Sequence, residues 1–114
     1  MIKGNELIIY KKAEGLLNDV YPVLRNFPKA EKFALCQEIK QTFYVLLRYI
    51  MLANNVKARR RMYQEEVDAQ LKLLLALFAI AKKQKYITPR KNMQIQMAIE
   101  ELGRILGGWM RAAQ

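Results

Sequence analysis

An all-α fold, an antiparallel up-down-up-down four-helix bundle, follows from three features of the sequence. Four long segments repeat apolar residues every three to four positions, the spacing of one helix face. Gly is only 5 and Pro only 3 in 114 residues, too few for a turn-rich β architecture. The segments, at about 6–26, 29–53, 58–85 and 89–111, leave three short breaks, and short breaks join antiparallel neighbours. A chain of this length predicts one domain, 1–114.

The first segment carries Ile9, Ala13, Leu16, Val20, Val23 and Phe27 on its stripe, with Pro22 inside it. "RNFPK" breaks it, and Pro28 stands just inside the next start. The second stripe reads Phe33, Cys36, Ile39, Phe43, Leu46 or Leu47, and Ile50. "ANN" ends it, because Asn tolerates the left-handed conformation of helix ends. The third segment is apolar nearly all round at "LKLLLALFAIA", Leu71 to Ala81. A helix this apolar buries a second face, either centrally in the bundle or against another subunit. Leu73, Leu77 and Ile80 are the candidates for that surface. In the fourth segment Thr88 caps the start and Pro89 suits the first helical position. Ile95, Ile99, Leu102, Leu106 and Trp109 hold phase through Gly103, Gly107 and Gly108, so the helix continues past them. Gly103 and Gly107 then share a face that a neighbouring backbone could approach.

Charge narrows the function. Twenty Lys and Arg oppose ten Asp and Glu, a net +10, with pI about 9.9. Such an excess points to nucleic acid first and an anionic membrane surface second. No apolar run is long enough to span a bilayer, and the opening residues hold too short an apolar run for a signal peptide. Histidine is absent and Cys36 is the one cysteine. No nucleophile–base pair or multi-cysteine metal site can be assembled, so no enzyme activity, cofactor or metal is expected. Cys36 reads as buried filler in a reducing, cytoplasmic setting.

The predicted topology sorts the cations. The first and third connections fall at one end, which gathers Arg25, Lys29, Lys32, Lys82, Lys83, Lys85, Arg90 and Lys91 against one acid, Glu31. Tyr86 lies among them as a ring that could stack on a base. These eight cations are the candidate nucleic-acid contacts. At the other end "NNVKARRRMYQEEVDAQ" holds Lys57, Arg59, Arg60 and Arg61, followed by Glu65, Glu66 and Asp68. Arg61 and Glu65 are spaced to pair. This half-neutralised group is a secondary phosphate or partner contact, or the charged start of a helix. No zinc finger, helix-turn-helix or RNP-type signature accompanies the charge, so phosphate contact without base readout is expected.

"EELGRILGGWMR" (Glu100–Arg111), with "VYPVLRNFPK" and "YITPRK", resembles the accessory variability determinant proteins of diversity-generating retroelements. These belong to a four-helix-bundle family that includes the intervening-sequence proteins of bacterial large-subunit ribosomal RNA genes. Gly103, Arg104, Gly107 and Trp109 match the closing motif. The resemblance implies a ring-like homopentamer with a basic channel, a reverse transcriptase partner, RNA or DNA binding, and support of error-prone cDNA synthesis in mutagenic retrohoming. It supplies no catalytic residue. The alternatives are an intervening-sequence type of oligomer and an interaction adaptor whose positive charge meets an acidic protein.

Overall fold

The computed structural model describes residues 5–112. Its helices are α1 (Asn5–Arg25), α2 (Leu35–Asn55), α3 (Arg60–Lys83) and α4 (Pro89–Ala112), with single 3-10 turns at Lys29–Glu31 and Lys57–Arg59. The described residues contain no strand. A 24-residue helix such as α3 is about 36 Å long at 1.5 Å per residue. It therefore runs along the 43 Å axis of a body only 25 and 19 Å across. The link from Lys83 to Pro89 reaches at most about 20 Å even fully extended, so α4 must turn back beside α3. Among the described residues each helix packs on two neighbours: α1 on α2 and α4, and α3 on α2 and α4. That is the square, up-down-up-down bundle the short breaks predict.

One core runs along the middle. Ile9, Ala13, Val20 and Leu24 of α1 meet Ile39, Phe43, Leu46 and Ile50 of α2. Val67, Leu71, Leu74 and Phe78 of α3 and Ile95, Ile99, Leu102, Leu106 and Trp109 of α4 complete it. On α1 the stripe is rotated from the expected one: Leu17 and Leu24 are buried, while Leu16 and Val23 are half-buried. Both sets have helical spacing, and the neighbours on either side of α1 decide between them.

The ends depart more from expectation. Helix α2 starts at Leu35 rather than Lys29, because Ala34 leaves helical geometry at φ −118° and ψ −100°. That break rotates Phe33 off the α2 stripe, and its ring is 79% exposed. Helix α3 starts at Arg60 and closes at Lys83. Beyond it Tyr86 N–H donates to the Ala81 carbonyl and Lys85 N–H to that of Lys82, both at 2.9 Å. This is a Schellman closure, whose left-handed residue is usually Gly. Here it is Lys85, at φ 65°. The start of α4 is as expected: Lys91 N–H donates to Thr88 Oγ1 at 3.0 Å, with Pro89 first in the helix.

The glycines do not do what their spacing suggested inside the bundle. Helix α4 continues through all three. A Cβ on Gly103 would meet nothing within 4 Å, and one on Gly107 only the Arg111 guanidinium at 3.4 Å. Among the described residues no neighbouring helix uses the room that Gly103 and Gly107 leave. Leu77 and Trp109 are also spent on the core, whereas Leu73 and Ile80 stay 39% and 48% exposed.

Arg60 has a structural task the sequence concealed. Its Nε donates to the Ala53 carbonyl at 2.8 Å and its Nη2 to Asn54 at 3.0 Å, so it caps the end of α2 from the start of α3. Two charge-assisted bonds predict that Arg60→Ala lowers unfolding free energy by about 2 kcal/mol. Arg59→Ala, on an exposed side chain, should stay within about 0.5 kcal/mol of the parent. Urea melts of the two variants check this.

Candidate nucleic-acid interface

The basic end is assembled by a contact between the first and third connections. Tyr86 Oη donates to Glu31 Oε2 at 2.8 Å across 55 positions of sequence. Glu31 Oε1 accepts from Leu35 N–H at 3.3 Å, which ties α2 to the same carboxylate. Beneath them the Tyr86 ring lies 5.4 Å from that of Phe27. Tyr86 is thus a clasp rather than a free stacking ring, which corrects the role its position suggested.

Around this clasp all eight expected cations are exposed. None has an ion pair within 4 Å among the described residues. They divide into three groups. Arg25, Lys29 and Lys32 line a cleft of about 460 Å³ between the end of α1 and the start of α2, together with Lys40. Lys82, Lys83 and Lys85 line a second, more open one of about 490 Å³ with Tyr86 and the start of α4. Arg90 and Lys91 occupy the first turn of α4, where the helix dipole is already positive. Lys91 also shares a shallow groove with Asp19, which offsets it at longer range. Glu31, the acid within the cluster, has both oxygens engaged by the fold. Glu31 keeps its charge in these bonds, but one carboxylate cannot offset eight cations, so an anion from outside would relieve repulsion that the protein itself leaves standing.

Two members of this end were not legible as such. Phe33 projects into solvent with the Lys32 ammonium 5.3 Å from its ring centre, the position a stacking residue would take. Its helical spacing from Cys36 hid it. Lys40 lies one turn beyond Cys36, outside the window of the connection, yet its side chain reaches the cleft. Its ammonium is 5.0 Å from the Tyr21 ring centre.

The opposite end holds less free charge than its sequence implies. Arg60 is used as a cap, and Arg61 Nε lies 3.7 Å from Glu65 Oε2. Lys57 and Arg59 remain exposed. Burial pushes the Cys36 thiol up from its ordinary value, against the opposing pull of Lys40 and with a smaller push from the Glu31 charge. Among the described residues no group of His, Cys, Asp or Glu is arranged to hold a metal ion. No described helix is long and apolar enough to cross a membrane.

The clasp has a pH signature. Its hydrogen bond to Glu31 raises the Tyr86 phenol above its ordinary value of 10.0, with burial and the Glu31 charge adding to the effect. The folded value lies above the unfolded one, so the clasp's stabilisation is complete below about pH 10 and is lost as pH rises through the folded value. A phenolate titration of wild type minus Tyr86→Phe should place this group above 10, and Glu31→Gln should bring it down. Glu31→Gln should also lower the midpoint of a denaturant melt.

No curated protein matches the chain. A family model does: the one described as bAvd-like matches residues 7–113, from the first turns of α1 through the glycine-bearing end of α4. The match takes in every helix and both connections that build the basic end. It also takes in the Gly103–Trp109 segment that carried the resemblance to accessory variability determinants. By that match, the chain belongs to the bAvd-like family of accessory proteins.

Proposed function

We propose that this chain is a non-catalytic accessory protein of a diversity-generating retroelement, working in the cytoplasm. It assembles as a homo-oligomer, a pentamer by resemblance, and engages the element's reverse transcriptase. It meets RNA or DNA through phosphate contacts at the basic end and so supports mutagenic cDNA synthesis. The observation that carries the nucleic-acid part is the gathering of eight exposed cations around one acid already bonded within the fold. Phe33 adds an exposed ring on which an unpaired base can stack.

Lys85 supports the same reading. A lysine in the left-handed conformation costs about 1 kcal/mol that glycine would not. The fold bears that cost and gains a cation beside Lys82 and Lys83. Lys85→Gly should therefore raise stability by about 1 kcal/mol while weakening nucleic-acid binding. A lysine kept for structure alone would not show these opposite movements. In a ring of subunits the patch repeats, so binding is tight by multiplicity and weakly sequence-dependent.

Binding should follow salt with a log–log slope of about −0.9 per phosphate neutralised on duplex and about −0.7 on single strands. Changing Lys82, Lys83 and Lys85 together to Gln should weaken all sequences alike and flatten that slope. Changing Lys57 and Arg59 to Gln should do less, and a larger effect from that pair would move the interface to the other end.

Assembly draws on the exposed apolar residues of α3 and α4: Leu73, Ile80, Met93 and Met97. The half-buried Gly103 and Gly107 offer a second copy the close approach that no helix takes up among the described residues. Leu73→Asp and Ile80→Asp should lower the oligomer mass in light scattering while leaving helical content unchanged, because both side chains lie outside the core. A parent protein that scatters as a monomer at micromolar concentration would overturn the assembly.

A further inference from the structure

We infer that the cleft between the end of α1 and the start of α2 receives one unpaired nucleotide of a single strand. Its base would rest on the apolar floor and its phosphates on the surrounding cations. This rests on the nucleic-acid reading above and assigns it a specific pocket. The floor is made by Leu24, Phe27 and Cys36, all buried in the core yet facing the cleft. The wall carries Arg25, Lys29, Lys32 and Lys40, and no carboxylate lines it. Glu31, the nearest acid in the connection, is turned to Tyr86 and Leu35.

Three features select the occupant. Four cations, opposed by no lining carboxylate and only by the Glu31 charge that reaches Cys36, call for an anion of more than one charge, or for successive phosphates. An apolar floor is wasted on bare phosphate, which would leave it wet, but it suits the face of a base. A volume of about 460 Å³ lies within the roughly 300–1,000 Å³ of small-molecule pockets. It admits one nucleotide and excludes the width of a duplex. Lys40 separates this pocket from a general phosphate patch. It sits on α2 beyond the connection, half-buried beside the Tyr21 ring, and lines the cleft.

The test measures binding of the full-length protein, by fluorescence anisotropy at fixed salt, to a short labelled single strand and to the blunt duplex of the same length. Lys40→Gln should weaken the single strand about tenfold, the loss of one charge-assisted contact. On the duplex it should cost less than about twofold. Lys40→Arg should restore binding, and an unchanged melting curve keeps the loss from being one of folding. Adenosine 5′-monophosphate should shift the amide resonances of Leu24 and Cys36, whereas inorganic phosphate at equal ionic strength should not. Equal losses on strand and duplex, or none, with Lys83→Gln still weakening both, would overturn the pocket and leave the basic-end reading standing. Failure of the wild-type protein to bind either form would overturn both. If an acidic, aromatic peptide binds in a Lys40-dependent way and adenosine 5′-monophosphate does not compete, the pocket belongs to a protein segment and the nucleotide assignment is wrong.

Discussion

Connections shorter than the helices they join decide where every charge of this molecule ends up. The link after α3 cannot span the length of a helix, and the one after α2 is a single 3-10 turn with one flanking residue. Each helix is therefore returned beside its predecessor, and the first and third connections meet at one end. Had the link after α2 been long enough to cross the bundle, α3 would run the other way and the third connection would lie about 36 Å from the first, beyond a Debye length and unable to act with it.

That convergence concentrates like charge, which works against the compact state. The fold answers locally with one carboxylate. Glu31 holds Tyr86 and the first turn of α2, and its charge lies among the cations it helps to gather. It is too little to neutralise eight neighbours. The strained backbone at Lys85 and the cations in the first turn of α4 are further local costs at the same end. Costs that coincide in one place, offset only in part by Glu31 and by Asp19 beside Lys91, are the mark of a surface shaped for an outside anion. The opposite end shows the contrast. Its arginine triplet reads as a secondary contact, and less of it is free than the sequence implies: Arg60 closes α2 and Arg61 pairs with Glu65.

Much of this was readable from residue spacing. The helices follow from apolar periodicity, the start of α4 from Thr88 and Pro89, and its continuation through Gly107 and Gly108 from the phase of Leu102, Leu106 and Trp109. These are local signals, each set within a turn or two of chain. What spacing could not supply is whatever depends on a partner far along the sequence. Phe33 keeps the α2 period but is turned out by the break at Ala34. Tyr86 is drawn from the surface by Glu31, Arg60 is drawn to the end of α2, and Lys40 reaches a cleft that exists only once α1 and α2 are packed. Leu77 and Ile80 are three apart in an unbroken apolar run, and only the seating of α3 puts one inside and the other out.

The central claim is that nucleic acid meets the end built by the first and third connections. Lysine acetylation footprinting of the assembled protein, with and without bound RNA, tests it most directly, because the lysines are spread over both ends of the bundle. The account predicts protection of Lys29, Lys32, Lys82, Lys83 and Lys85, with Lys57 labelled equally in both states. Protection centred on Lys57, with the lysines of the first and third connections still reacting freely, would contradict it.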